Sequence, residues 1–151
     1  MKSSVSLRSL MLAAAIVLLT GCAASVPLAP KEQDAASKTF KISAADKAGV
    51  YIYREKSHFG KALTKTLYID GTVIGATAPG TYFHREVAPG EHTLATQAEF
   101  GENSVKLNAE AGKIYYFQQY MKWGTFKGSA GIQAVTDEVG KQGVSLCNEA
   151  K

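Results

Sequence analysis

The residues with the widest chemical reach in this chain are two cysteines, three histidines, one tryptophan and a scatter of carboxylates. Two cysteines, Cys22 and Cys147, cannot build a disulfide scaffold, and no Cys/His spacing resembles a zinc site. His92 shares a strand face with Leu94, His84 alternates with Tyr82 and Glu86, and His58 stands beside Phe59 in an expected loop. Nothing in that spacing gathers the three into a metal site, and no metal or cofactor is expected. Gly128-Ser129-Ala130-Gly131 lacks the spacing of a nucleophile elbow. Lys127-Gly128-Ser129 matches only the end of a phosphate-binding loop, with the upstream glycine misplaced. Asp70 is consumed by a turn and the glutamates are dispersed, so no carboxylate pair for hydrolysis can be named. No catalytic residue is nominated.

One segment keeps a chemical capability. Lys122-Trp123-Gly124-Thr125-Phe126-Lys127 sets two aromatic rings between cations, after the aromatic run Tyr115, Tyr116, Phe117 and Tyr120. Such a loop can stack on sugar rings or clamp an acidic peptide. The plainer alternative is that Trp123 and Phe126 cap one end of the core. Cys147 carries a similar pair of readings: a small buried apolar residue, or, if exposed in an oxidising compartment, a cross-linking thiol.

The other chemically marked residue is Cys22. Polar residues with Lys2 and Arg8 precede an unbroken apolar run from Leu10 to Leu19, followed by small residues around Cys22. This is the order of a secretory signal. Ten residues at 1.5 Å rise cover about 15 Å, half of a ~30 Å hydrocarbon core, too little for a permanent transmembrane helix. Leu19-Thr20-Gly21-Cys22 resembles the lipobox of bacterial lipoproteins: an apolar residue, two small ones, then cysteine. The resemblance implies a signal peptide over residues 1–21 that is removed, and a Cys22 that carries diacylglycerol and an N-acyl chain. Ordinary cleavage near Ala24, discarding Cys22, is the alternative. Two or three chains make such an anchor effectively permanent, where one holds only marginally. Ala23 is not the aspartate that retains such lipoproteins in the inner membrane, so the resemblance favours the outer membrane, facing the periplasm.

Residues 22–47 are rich in Ala, Ser and Lys, with Pro27 and Pro30 and no sustained period. They are expected to form a lipid-anchored flexible tether with a coil span of roughly 25–30 Å. Phe40-Lys41-Ile42 is a candidate short strand docking on the domain.

Residues 48–151 are punctuated as a β-domain. Glycines recur about every ten residues, at Gly49, Gly60, Gly71, Gly80, Gly90, Gly101 and Gly112, with β-branched and aromatic runs between. Strands are predicted at Val50–Tyr53, Thr66–Ile69, Thr72–Ile74, Tyr82–Val87, His92–Ala98, Ser104–Ala109, Ile114–Met121, Gly131–Thr136 and Val144–Cys147, with one helical turn at Asp137–Gly140. Asp70-Gly71 is a strong hairpin signal, because a type I′ turn needs φ > 0 twice. About eight to nine short strands leave no room for crossover helices, which predicts an antiparallel β-sandwich.

The ordered series Val50–Arg54, Tyr68-Ile69-Asp70-Gly71, Pro89-Gly90-Glu91-His92-Thr93-Leu94 and Ala111–Tyr116 resembles a family of small bacterial lipoproteins carrying a domain of unknown function. Its Pro-Gly-x-His-x-Leu hairpin is similar to PEGA-type and transthyretin-like sandwich modules. The resemblance implies an envelope lipoprotein with a β-sandwich and supplies no activity.

Composition narrows the classes further. The chain has 151 residues, 46% apolar and 20% charged, which excludes a disordered chain or a fibre. The net charge of +4 loses Lys2 and Arg8 with the signal, leaving 15 cations against 13 acids. That is too weak for a nucleic-acid surface. The expected function is a non-catalytic, lipid-anchored sandwich binding another envelope component, protein or peptidoglycan, with Lys122, Trp123, Phe126 and Lys127 as its interaction loop. The alternative is a small envelope hydrolase or a periplasmic inhibitor of one.

Overall fold

A computed structural model describes residues 22–151, and the expected signal peptide lies outside the described residues. Short α1 (Lys31–Ser37) comes first. Eight strands follow: β1 (Ala48–Arg54), β2 (Lys65–Ile69), β3 (Thr72–Thr77), β4 (Thr81–Val87), β5 (Gly90–Gln97), β6 (Glu102–Ala109), β7 (Ile114–Lys122) and β8 (Ser129–Val135). Then come α2 (Asp137–Ser145) and the two-residue β9 (Asn148–Glu149). The strands form a five-stranded sheet, β8-β7-β1-β4-β9, and a four-stranded sheet, β3-β2-β5-β6. The expected β-sandwich of eight to nine strands is the fold.

Alternation explains where the core sits. Val50 and Ile52 of β1 point between the sheets, with Leu67, Phe83, Leu94, Leu107, Phe117 and Ile132. Tyr51 and Tyr53 point the other way, with Tyr82, Tyr116, Val144 and Cys147. Both faces of β1 are therefore buried, which is why Val50-Tyr51-Ile52-Tyr53 reads as a continuous apolar run.

Two pairings depart from the antiparallel expectation. β1 runs parallel to β7, with Gly49 opposite Ile114 and Tyr53 opposite Gln118, and β4 runs parallel to β9. No crossover helix is needed between β1 and β7. The chain crosses to the other sheet for the β2–β3 hairpin, returns as β4 antiparallel to β1, crosses again for the β5–β6 hairpin, and comes back as β7 in the direction of β1.

The expected strand Val144–Cys147 is instead the last turn of α2 and its exit. Gly140 and Gly143 of this helix are there for close approach. A Cβ on either would lie 2.2 Å from a ring-bearing side chain, Tyr116 or Tyr53 respectively. Both glycines let the helix backbone rest on the tyrosine face.

Residues 22–47 are also corrected, because most of the expected tether is docked. The Ala24 amide donates to the Lys61 carbonyl (2.8 Å), Ala29 to Glu149 (2.9 Å), and Lys151 to Pro27 (2.9 Å). Asp34 of α1 accepts the Glu149 amide through its side chain (2.8 Å), and the Tyr51 hydroxyl donates to the Ser37 carbonyl (2.6 Å). Phe40-Lys41-Ile42 is not a strand. Phe40 takes φ 53° and lays its ring 5.5 Å from Tyr51 and 6.0 Å from Tyr116. The segment thus runs the length of the sandwich, from the end bearing the β1–β2 loop to the start of β1.

Candidate functional site

The C-terminal ends of β1, β5 and β7 and the N-terminal ends of β2, β6 and β8 meet at one end of the sandwich. Three loops project from this tip: residues 55–64, 98–101 and 123–128. Trp123 is 86% exposed, Phe126 82% and Phe100 75%. Lys61, Lys122 and Lys127 are exposed beside them. The end-cap reading of Trp123 and Phe126 fails on these numbers, since a residue that caps a core is covered by it. The ring of half-buried Phe59 lies 4.5 Å from that of Trp123. A shallow groove of about 280 Å³ runs between Phe59, Leu63, Met121, Trp123 and Phe126.

Buried charges hold these loops in place. The Arg54 guanidinium, at the end of β1, donates to the carbonyls of Leu63 (2.7 Å) and Gly60 (2.8 Å). Lys65, at the start of β2, donates to the Gly128 carbonyl (2.5 Å). Burial lowers the pKa of both cations. Neither is within ion-pair distance of a carboxylate among the described residues, so loop carbonyls carry the work of solvating them.

Glu99 closes the third side. Its carboxylate accepts the backbone N–H groups of Thr125 (2.6 Å), Phe126 (2.5 Å) and Lys127 (2.9 Å), and its own amide donates to the Ser129 hydroxyl (3.2 Å). The amides of Phe126 and Lys127 hold its pKa below the usual glutamate range. A carboxylate so occupied is a brace for the loop, and its negative charge is turned toward the backbone. Arg54, Lys65 and Glu99 are the site residues that sequence reading missed. Glu99-Phe100-Gly101 carries a turn signal, but nothing in the sequence states that its carboxylate reaches the next loop.

The remaining chemical residues stay apart. His84 stacks on Tyr51 with ring centroids 4.3 Å apart, on the outer face of the five-stranded sheet. His92 sits on the other sheet, its Nδ1 2.6 Å from Asp70. His58 is exposed in the β1–β2 loop. Among the described residues, no three His, Cys, Asp or Glu side chains stand close enough to hold a metal ion. Cys147 is buried with its Sγ 3.5 Å from the Arg54 carbonyl, and burial pushes its thiol up to about 12. It is thus a packing residue, inaccessible for cross-linking. Cys22 is exposed.

A family model described as "Protein of unknown function (DUF2846)" matches residues 44–131, a stretch that includes all three tip loops. An uncharacterized protein of Haemophilus influenzae is 39% identical over 135 residues, covering 89% of this chain and 80% of the relative. No solved structure matches.

Proposed function

The chain belongs to the DUF2846 family of proteins of unknown function, and we propose that it is a lipid-anchored, non-catalytic protein of the bacterial cell envelope that works by contact through its tip. The observation that carries this reading is the exposure of Trp123 and Phe126 on loops braced by Arg54, Lys65 and Glu99. Large rings held rigidly in solvent lose little entropy on binding, and contact hot spots are enriched in Trp. Another envelope component, protein or peptidoglycan, is the partner class that the sequence reading named. The PEGA- or transthyretin-like kinship of the sandwich belongs to the same proposal, supported by the two-sheet build alone, because Pro89-Gly90 carries the chain from β4 in one sheet to β5 in the other and closes no hairpin.

The anchor is assigned to Cys22, supported by Leu19-Thr20-Gly21 before it and by its exposure. Ala23 in place of aspartate favours the outer membrane. The test is expression of the full chain and of Cys22→Ser in a bacterial host fed a palmitate analogue. The parent should mature, take up label and sediment with membranes, while the variant accumulates as unlabelled precursor. A variant that still matures as an acylated protein overturns the anchor.

A further inference from the structure

We infer that the tip is a membrane-contacting surface: Phe59, Trp123 and Phe126 sit at the headgroup level of an anionic bilayer, with Lys61, Lys122 and Lys127 against its phosphates. The inference deepens the proposed function, and its placement of the tip on the anchoring membrane rests on the reading of Cys22 as lipidated.

Distance makes the argument. Ala24 is fixed to the Lys61 carbonyl (2.8 Å) in the β1–β2 loop, so only Cys22 and Ala23 are free of the domain. Two residues reach about 7 Å at full extension. A chain lipidated at Cys22 therefore cannot hold its sandwich 25 Å clear of the bilayer. It rests against the membrane, and the part nearest Cys22 is the loop bearing Lys61 and Phe59. The Phe59 ring in turn touches that of Trp123.

Composition fits the same occupant. Tryptophan concentrates at membrane–water interfaces, and basic residues beside apolar rings are the pattern of surfaces that lie in the headgroup region. Among the described residues no carboxylate stands within ion-pair distance of Lys61, Lys122 or Lys127. Glu99, in the middle of the tip, is engaged by three backbone amides and acts on Lys127 only through its field. Glu55, the first residue after β1, and Glu102, the first of β6, are the other carboxylates beside these loops, both exposed. The bilayer is thus the envelope component that a two-residue leash brings to the tip ahead of a protein or glycan partner.

Trp123 is the only tryptophan in the chain, which makes its fluorescence a direct report on the tip. The mature chain, residues 22–151 without acyl groups, contains every described element and is titrated with phosphatidylglycerol/phosphatidylethanolamine vesicles and with phosphatidylcholine vesicles. The expected result is a blue shift of Trp123 emission and co-sedimentation that grow with the phosphatidylglycerol fraction and weaken with salt. Lys122→Gln and Lys127→Gln should each lower partitioning roughly fivefold. Phe126→Ser should lower it further, and all three should leave the melting temperature unchanged because the side chains are exposed.

A folded chain whose emission ignores anionic vesicles overturns the inference. If Cys22 is nevertheless labelled in cells, the anchor stands and the tip returns to a protein or glycan partner. A shift caused by soluble peptidoglycan fragments and not by vesicles reassigns the tip to the sugar polymer. Vesicle binding with an unlabelled Cys22 keeps a lipid-facing tip and removes the anchor.

Discussion

Asp70 and His92 show how single side chains tie this domain together. His92 Nδ1 is 2.6 Å from the Asp70 carboxylate and Nε2 is 2.8 Å from the Ala88 carbonyl, so both ring nitrogens face acceptors. Only the imidazolium donates from both. The Asp70 hydrogen bond, then the Ala88 carbonyl, raise the His92 pKa above its ordinary 6.5. The same His92 bond and the Thr93 amide lower Asp70 below 3.8. A raised histidine contributes stability that is complete below its unfolded pKa and lost as pH rises through the folded one. A depressed carboxylate contributes above its unfolded pKa and loses it as pH falls through the folded one. The pair is therefore strongest between about pH 4 and 6.5. The melting-temperature gap between the parent and His92→Ala should be widest there and should narrow as pH rises above neutrality. A gap that widens toward pH 9 would show that the ion pair is not what His92 contributes.

At the scale of elements, the β2–β3 hairpin is the clearest case of local sequence dictating structure. Asp70 takes φ 51° and Gly71 φ 75°, the double positive φ of a type I′ turn. No atom lies within 4 Å of where a Gly71 side chain would begin, so a substitution there meets backbone strain and no clash. Gly71→Val should cost more than ~1 kcal/mol in denaturant melts, because a β-branched residue resists the left-handed region. An unchanged midpoint would mean that the turn relaxes to another type. The strands were legible for this reason: each turn announces itself within a few residues. The termini of the domain were not. Gly140 and Gly143 mark contact with Tyr116 and Tyr53, which only the fold brings near, and α1 is too short for a period to show. The tip divides along the same line. Trp123, Phe126 and the lysines are recognisable by type, whereas Arg54, Lys65 and Glu99 act on backbone groups of loops that are distant in sequence or whose geometry only the fold defines.

At the scale of the molecule, the docked N-terminal segment decides both what the folded unit is and how near it lies to any anchor. The outer face of the five-stranded sheet carries Tyr51, Tyr53, Tyr82 and Tyr116, which no second sheet covers. α2 lies on Tyr53 and Tyr116, while Phe40 and α1 cover the Tyr51 side: Ser37 accepts the Tyr51 hydroxyl, and Gln33 and Asp34 bind Glu149 of β9. Removing residues 22–47 would leave that hydroxyl and the Glu149 amide without these partners and would open aromatic faces to water. Uncovering one large side chain forfeits about 1.5–3 kcal/mol, and at least two are affected. A chain beginning at Ala48 should therefore be less stable than one beginning at Cys22 by roughly 3 kcal/mol or more, measured by chemical denaturation of the two purified proteins. Its tyrosine emission should also become more accessible to a soluble quencher. Were the segment a free tether, the two chains would melt together and quench alike, and the short leash between Cys22 and the tip would be lost with it. The same pair of proteins thus tests the fold boundary and the distance argument for the membrane-facing tip.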